Sequence, residues 1–293
     1  MTEDVRLGIA LGGGGSRAFV HLGVLARLEE EGLRPHCVSG SSMGAVLGAL
    51  YAADPVAQRS IPRILEYFRK SPLFGSLIRQ DKGDGLHARP GFIGTLARKA
   101  ATASIAGVVS FRLGLRKMNP VVRAIDEFFA KNQTRIEDLA LPFAVNSLNL
   151  TRGRLEDHLS GPLAPALKAG VAIGLVFAPF SWNGCQHADA APIAPVPVTL
   201  CRRLGADRVV AVDICAPIKR PLDAYSGFDV VRRIMSMQSE VLNESETAAA
   251  DVLLKIDASD VFWGDFSRID DLVERGREAA GSIVGRLRES VSS

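Results

Sequence analysis

The strongest constraint on the fold of this 293-residue chain is a pair of glycine-rich turns near its start. The first lies in LGGGGSRAF (Leu11–Phe19), and the second is GSSMG (Gly40–Gly44). They separate two predicted strands from two predicted helices, in the order Val5–Leu11, Arg17–Glu31, His36–Gly40 and Ser42–Ala53. Two successive strand–turn–helix units predict the beginning of a parallel sheet with helices on its faces.

The rest of the chain continues this pattern. Its predicted elements are a helix starting at Asn119-Pro120, strands at Pro142–Leu150 and Gly153–Leu159, a helix at Val196–Leu204, a strand at Arg208–Ile214, a helix around Val230–Glu246, a strand at Val252–Ile256 and a last helix from Arg268. A composition of 47% hydrophobic and 23% charged residues suits a soluble α/β protein. No linker is visible, so we expect one domain over residues 5–290, with a variable cap near 71–118.

The charge distribution limits the classes of partner. The formal net charge is only +3, which favours no nucleic acid or other polyanion. The segment Lys70–Lys117 is the exception, with nine basic and two acidic residues. This charge is typical of a solvated flap or of a contact with anionic lipid headgroups. The acidic start MTEDVR does not resemble a signal peptide, and the apolar run Ala169–Phe180 is too short to span a bilayer. These features predict a cytoplasmic protein, peripheral at most to the inner face of the membrane.

The second turn fits the pattern G-x-S-x-G, with Gly40 and Gly44 around Ser42. A serine between a strand and a helix projects its hydroxyl from the sheet and lies at a helix N-terminus, which favours developing negative charge. Ser42 is therefore a candidate nucleophile. The alternative is an ordinary helix-capping serine in a glycine-rich turn.

The glycine loop Gly12–Gly15 admits two functions. It could cradle a phosphate, but the P-loop lysine is missing, and the dinucleotide pattern would need a glycine where Ala18 stands. Its N–H groups could instead form an oxyanion hole for acyl transfer. Because both loops follow strands expected to be neighbours, we expect them to meet at one edge of the sheet.

A general base for Ser42 is not evident among the histidines. In the α/β-hydrolase order the histidine follows its acid and comes last, yet no histidine follows His187. His158 and His187 are the two far enough downstream, and neither lies in a recognisable loop for that role. The four cysteines lack metal-ligand spacing, and we expect no metal or cofactor.

These motifs and their flanks resemble the patatin-like phospholipase family, especially its bacterial members. The glycine loop with Arg17 resembles the family's G-G-G-x-R-G motif, and Gly40–Gly44 its serine turn. Asp189-Ala190 falls where the family has an Asp-Gly pair. The sequence LGADRVVAVDI matches the family's segment after that pair, so the likeness covers roughly residues 5–215.

The resemblance implies a three-layer α/β sandwich with a mostly parallel central sheet, a helical cap, and a serine lipid acyl hydrolase. Ser42 would be the nucleophile and Asp189 its proton acceptor, acting on a phospholipid or another fatty-acyl ester. Gly13, Gly14 and Gly15 would hold the oxyanion, with Arg17, Gly40, Gly44 and Ala190 in support. Asp157, Asp207 and Asp213 remain alternative bases, Asp189 could instead be a loop-capping carboxylate, and Arg17 could be an exposed surface residue.

The chain departs from the family pattern at four positions. Ala18 and Ala190 replace glycines, and Gly170 and Gly174 replace the Ser and Pro of a central motif. If positions 18 or 190 required a positive φ, alanine would cost about 1 kcal/mol there and displace a loop. Two alternative functions therefore stay open: a catalytically weak regulatory or lipid-binding family member, and a nucleotide-phosphate binder.

Overall fold

The computed structural model describes residues 5–70, 119–130, 133–174, 177–214 and 227–292. Within them lies one eight-stranded sheet. Its strands are β1 (Leu7–Leu11), β2 (Cys37–Gly40), β3 (Phe143–Asn149), β4 (Arg154–His158), β5 (Phe180–Trp182), β6 (Cys185–Asp189), β7 (Arg208–Asp213) and β8 (Val252–Lys255). The predicted cap near 71–118 lies outside the described residues.

Helices cover both faces of this sheet. They are α1 (Val20–Glu30), α2 (Ser42–Ala53), α3 (Ala57–Lys70), α4 (Asn119–Ile125), α5 (Leu163–Gly170), α6 (Val198–Arg203), α7 (Gly227–Thr247), α8 (Ile269–Gly281) and α9 (Val284–Ser292). The larger core joins one face of the sheet to α1, α2, α5 and α8. A smaller core joins the other face to α6. The result is the expected α/β sandwich.

The sheet is mostly parallel, with an antiparallel extension at one side. The strand order is β5-β6-β3-β2-β1-β7-β8, and β4 pairs with β3 in addition. Strands β3, β2, β1, β7 and β8 are parallel, while β4, β5 and β6 join by antiparallel pairing. As expected, β1 and β2 are neighbours, so the two glycine-rich turns leave the same end of the sheet.

The register of β3 brings two strand ends together. Strand β4 pairs with both Val145 and Ser147 and therefore occupies one edge of β3. Val145 also pairs with β2 and Ser147 also pairs with β6, so β2 and β6 lie one after the other along the opposite edge. Since β2 runs parallel and β6 antiparallel to β3, their C-terminal ends point towards each other. Gly40 is level with Val145 and Asp189 with Ser147, two residues apart along β3.

Most predicted element bounds agree with the structure to within a few residues. The predicted helix Ser42–Ala53 is confirmed without change, whereas the helix predicted from Arg17 begins as a 3₁₀ turn at Gly15–Phe19. The helix predicted from Arg268 begins at Ile269 as α8, and a second helix that was not predicted, α9, follows it. None of the described helices combines the length and the apolar character that crossing a membrane requires.

Candidate active site

Ser42 lies at a strained elbow between β2 and α2. Its φ is 51°, the left-handed region that residues other than glycine seldom occupy. Gly40 and Gly44 permit the tight turn: a Cβ on Gly40 would lie 2.5 Å from Ala45 Cα, and one on Gly44 would lie 2.5 Å from Gly12 O. The elbow is therefore imposed by its surroundings, as expected where a side chain must be held in one orientation.

The Ser42 hydroxyl donates a 2.5 Å hydrogen bond to Asp189 Oδ2. The other carboxylate oxygen, Oδ1, accepts the Ala191 N–H at 2.8 Å. Ser42 is 5% and Asp189 4% exposed. Two residues separated by 147 positions in the sequence thus form a buried pair. They meet because the C-terminal ends of β2 and β6 face each other along one edge of β3.

Burial raises the pKa of Asp189 to about 6. The hydrogen bonds from Ser42 and Ala191 favour the carboxylate and offset part of that effect. A pKa near 6 makes this carboxylate a stronger base than an ordinary aspartate, yet leaves it ionised at neutral pH.

The three alternative aspartates have other partners. Asp157 forms an ion pair with Arg203, and Asp207 binds Arg6 through two side-chain hydrogen bonds of 3.0 Å. Asp213 accepts a 2.9 Å hydrogen bond from Asn243 Nδ2. Asp189 is the aspartate that reaches Ser42 in the described part of the chain.

The described histidines lie away from the Ser42 hydroxyl. His158 Nε2 and His187 Nδ1 share the Ser147 hydroxyl, at 2.8 and 3.0 Å. Ser42 makes its side-chain hydrogen bond with Asp189 alone among these residues. The arrangement is a serine–aspartate pair rather than a triad.

The glycine loop lies against the serine elbow, as the sequence predicts. A Cβ on Gly13 would lie 3.1 Å from Ser42 Cβ, so a larger residue would require the loop or the elbow to shift. The N–H groups of Gly14 and Gly15 donate to no acceptor within the described ranges. These two N–H groups of the loop therefore have no acceptor in that part of the chain.

The expectation that Gly13 supplies an oxyanion donor does not agree with the geometry. Its N–H donates to Pro195 O at 3.0 Å, and the Gly12 N–H donates to Val212 O at the same distance. Both donors fix the loop to the sheet end. Gly13 contributes to the site by allowing the loop to approach Ser42 closely. Of the four glycines, only Gly14 and Gly15 keep an N–H group without an acceptor among the described residues.

His21 holds the same loop from the other side, a role that sequence reasoning missed. Its Nε2 lies 2.8 Å from Gly12 O, in a fully buried position. Burial lowers the pKa of His21 to about 4, so the ring is neutral and donates its Nε2–H to that carbonyl. His21 thereby fixes the peptide plane between Gly12 and Gly13.

Backbone carbonyls from the C-terminal third complete the support of the loop. Arg17 Nε donates to Val261 O at 2.7 Å, and Ser16 donates through its hydroxyl to Phe262 O and through its N–H to Trp263 O. Arg17 is thus a stabilising residue of the loop. The three acceptors, Val261–Trp263, were missed, because a backbone carbonyl carries no side-chain signature.

The four departures from the family pattern are compatible with this geometry. Ala18 and Ala190 are buried and have no positive φ, so alanine causes no backbone strain at either position. A Cβ on Gly170 would lie 3.0 Å from Asn146 O, which leaves little room for a serine, and one on Gly174 would meet nothing within 4 Å. The reason for expecting weakened catalysis is therefore removed at positions 18 and 190.

Comparison with known proteins gives a consistent family. The family model described as Patatin-like phospholipase matches residues 9–202. The chain is 30% identical over 208 residues to "Lysophospholipase NTE1" of Mycosarcoma maydis and 32% identical over 208 residues to "Lysophospholipase nte1" of Emericella nidulans. Each alignment covers 71% of this chain but only 10% and 12% of those longer proteins.

Two solved structures are similar at lower identity. VipD from Legionella pneumophila aligns with a TM-score of 0.46 and 16% identity, over 97% of this chain and 67% of that one. Human GIVD cytosolic phospholipase A2 aligns with a TM-score of 0.47 and 13% identity, over 99% of this chain and 61% of that one.

Proposed function

The chain belongs to the patatin-like phospholipase family, and from this premise we propose that it is a serine lipid acyl hydrolase. The observation that carries the proposal is the 2.5 Å hydrogen bond between Ser42 and the buried Asp189 at a strained elbow. The substrate class is a phospholipid or another fatty-acyl ester. Because the relatives named above are lysophospholipases, a lysophospholipid is the first substrate to test.

In the first half of the reaction, Ser42 Oγ attacks the acyl carbonyl while its proton passes to Asp189 Oδ2. The carbonyl oxygen becomes an oxyanion, which accepts hydrogen bonds from the N–H groups of Gly14 and Gly15. Each such donor lowers the barrier by about 3 kcal/mol. When the carbon–oxygen bond to the leaving group breaks, the alcohol leaves with the proton held by Asp189.

In the second half, water replaces the alcohol. Asp189 accepts a proton from the water as the water oxygen attacks the acyl–serine ester, and the same two N–H groups hold the oxyanion. The bond to Ser42 Oγ then breaks, the proton returns to the serine, and the fatty acid is released. The neutral His21 and the carbonyls of Val261–Trp263 keep the glycine loop in position throughout.

A fluorophosphonate probe tests the activated serine directly. We expect the full chain to be labelled at Ser42, and both Ser42→Ala and Asp189→Asn to lose labelling by at least about a thousandfold. Ser41→Ala is the matched control, because Ser41 is buried in the same turn and its hydroxyl has no partner among the described residues. It should retain the wild-type rate. Absence of an adduct on the wild-type chain, or an adduct on Ser42→Ala, would refute the proposal.

A further inference from the structure

Helix α7 presents apolar side chains to solvent and polar side chains to the protein. Six of its large apolar side chains are 39–67% exposed: Val230, Val231, Ile234, Met237, Val241 and Leu242. The two buried side chains among those described on α7 are polar, namely Asn243 and Thr247, each 4% exposed. A helix on the surface of a water-soluble monomer normally has the opposite arrangement.

The six side chains, here called the α7 stripe, form one continuous surface. At 100° per residue they occupy a sector about 140° wide, which otherwise holds only Gly227, Gln238 and Ser245. This sector has no charged residue. Arg233, Glu240 and Glu244 follow one border of it, with a net charge of −1.

Helix α7 packs beside the candidate active site through side chains that lie outside the α7 stripe. Ser239 Oγ donates to Ala191 O at 3.1 Å, and the N–H of Ala191 in turn donates to Asp189. A second tie joins α7 to the end of β7, where Asn243 binds Asp213. Ile193, in the turn that follows Asp189, is 47% exposed and adds an apolar side chain from a second element.

We propose that the α7 stripe docks on a lipid surface of zwitterionic or uncharged headgroups and seats the candidate active site against it. The substrate of the hydrolase proposed above, on which this inference rests, lies in such a surface. Ser42 is buried, so docking beside the Asp189 turn shortens the path of an acyl chain through water. The uncharged stripe, with a net charge of −1 over Arg233, Glu240 and Glu244 at its border, favours this surface over an anionic one.

Vesicle flotation with phosphatidylcholine tests the docking without turnover. The protein is the full chain carrying Ser42→Ala, and the stripe variant adds Ile234→Glu and Val241→Glu. We expect the stripe variant to bind at least about tenfold more weakly, because two apolar side chains can no longer enter the lipid. Leu155→Glu, at an exposed leucine on β4, is the matched control and should bind like its parent.

Three results would overturn the docking proposal. The first is equal binding of the stripe variant and its parent. The second is binding that requires anionic lipid and disappears at high salt, which would place the contact on basic residues. The third is a dimer by light scattering that the stripe variant converts to a monomer with vesicle binding unchanged, which would assign the stripe to a second copy.

The docking and the hydrolase proposals fail in different ways. Vesicle binding that depends on the stripe, in a chain that the fluorophosphonate does not label, would refute the hydrolase and keep the docking surface. In an active chain, the stripe variant without Ser42→Ala should hydrolyse a soluble short-chain ester within about twofold of wild type. An equal melting temperature shows that the stripe variant is folded.

Discussion

At the scale of single residues, the protonation of Asp189 determines when the proposed hydrolase can work. Its pKa is about 6, and the carboxylate form accepts the serine proton. We therefore expect kcat/KM for a soluble ester to rise with pH, to reach half its maximum near pH 6, and to fall about tenfold per unit well below that. Rates measured from pH 4.5 to 8 check this. A flat profile would mean that Asp189 is not the base.

The same burial makes Asp189 a source of instability. Its folded pKa of about 6 lies above the value of 3.8 for an unperturbed aspartate, so the folded state disfavours the charged form. This penalty is absent below about pH 4, grows as the pH rises, and is complete above pH 6, where it amounts to about 3 kcal/mol.

Asp189→Asn removes that penalty and keeps an acceptor for the Ala191 N–H. We expect it to unfold at a higher urea concentration than wild type at pH 8, with the difference vanishing near pH 4. Equal destabilisation of the variant at both pH values would contradict the argument. The expected gain in stability of the variant at pH 8 would mean that the native aspartate is retained for its chemistry at the expense of stability.

The role of a residue could be predicted where a sequence motif identifies it, but not where the role depends on a hydrogen-bond partner far away in the sequence. Ser42 could be singled out because its turn glycines and the strand and helix around it have sequence signatures, whereas Asp189 was identified only through the resemblance to the family. The engagement of the Gly13 N–H by Pro195 could not, because it depends on how a loop far along the chain returns to the sheet. His21 had a further obstacle: a buried histidine in a helix gives no sign of which carbonyl it meets.

At the scale of elements, α1 and α8 cross at unusually close range, and α1 follows the glycine loop. A Cβ on Gly23 would lie 1.8 Å from Val273 O, and one on Gly276 would lie 1.9 Å from Val20 O. We expect Gly276→Ala to lower the free energy of unfolding by about 3 kcal/mol, because the helices must move apart.

Gly285→Ala is the control for that substitution. Gly285 lies in α9, and a Cβ added there would meet nothing within 4 Å, so alanine should raise the free energy of unfolding by about 0.5 kcal/mol. Urea unfolding of both variants measures the contrast. Equal stability of the two would show that the crossing relaxes at no cost.

Local patterns predicted the elements well where periodicity was strong. Helix α2 was predicted without error because a serine turn and an Asp-Pro pair mark its ends. Strand β6 was missed: CQHAD has mixed polarity, since it pairs at a short antiparallel extension and buries His187 and Asp189. Its strand character arises from tertiary pairing with β3, which overrides local propensity.

At the scale of the whole molecule, the N-terminal motifs depend on the C-terminal third of the chain. The family model ends at residue 202, yet β7 lies beside β1 near the middle of the sheet, and β8 lies beyond it. The carbonyls that hold Ser16 and Arg17 come from Val261–Trp263. Without these parts, β1 would lose its pairing with β7 and become an edge strand. The glycine loop would also lose the carbonyls that accept hydrogen bonds from Ser16 and Arg17.

We therefore expect a chain ending at residue 202 to show no cooperative urea transition and no fluorophosphonate labelling, although it contains Ser42, Asp189 and all four loop glycines. The physical reason is that Gly12 loses its Val212 acceptor together with the β1–β7 ladder. Circular dichroism during urea titration, beside the full chain in the same buffer, measures this. A cooperative, labelled fragment would show that the motifs organise the site without the C-terminal third, and the positions of Gly14 and Gly15 would need another explanation.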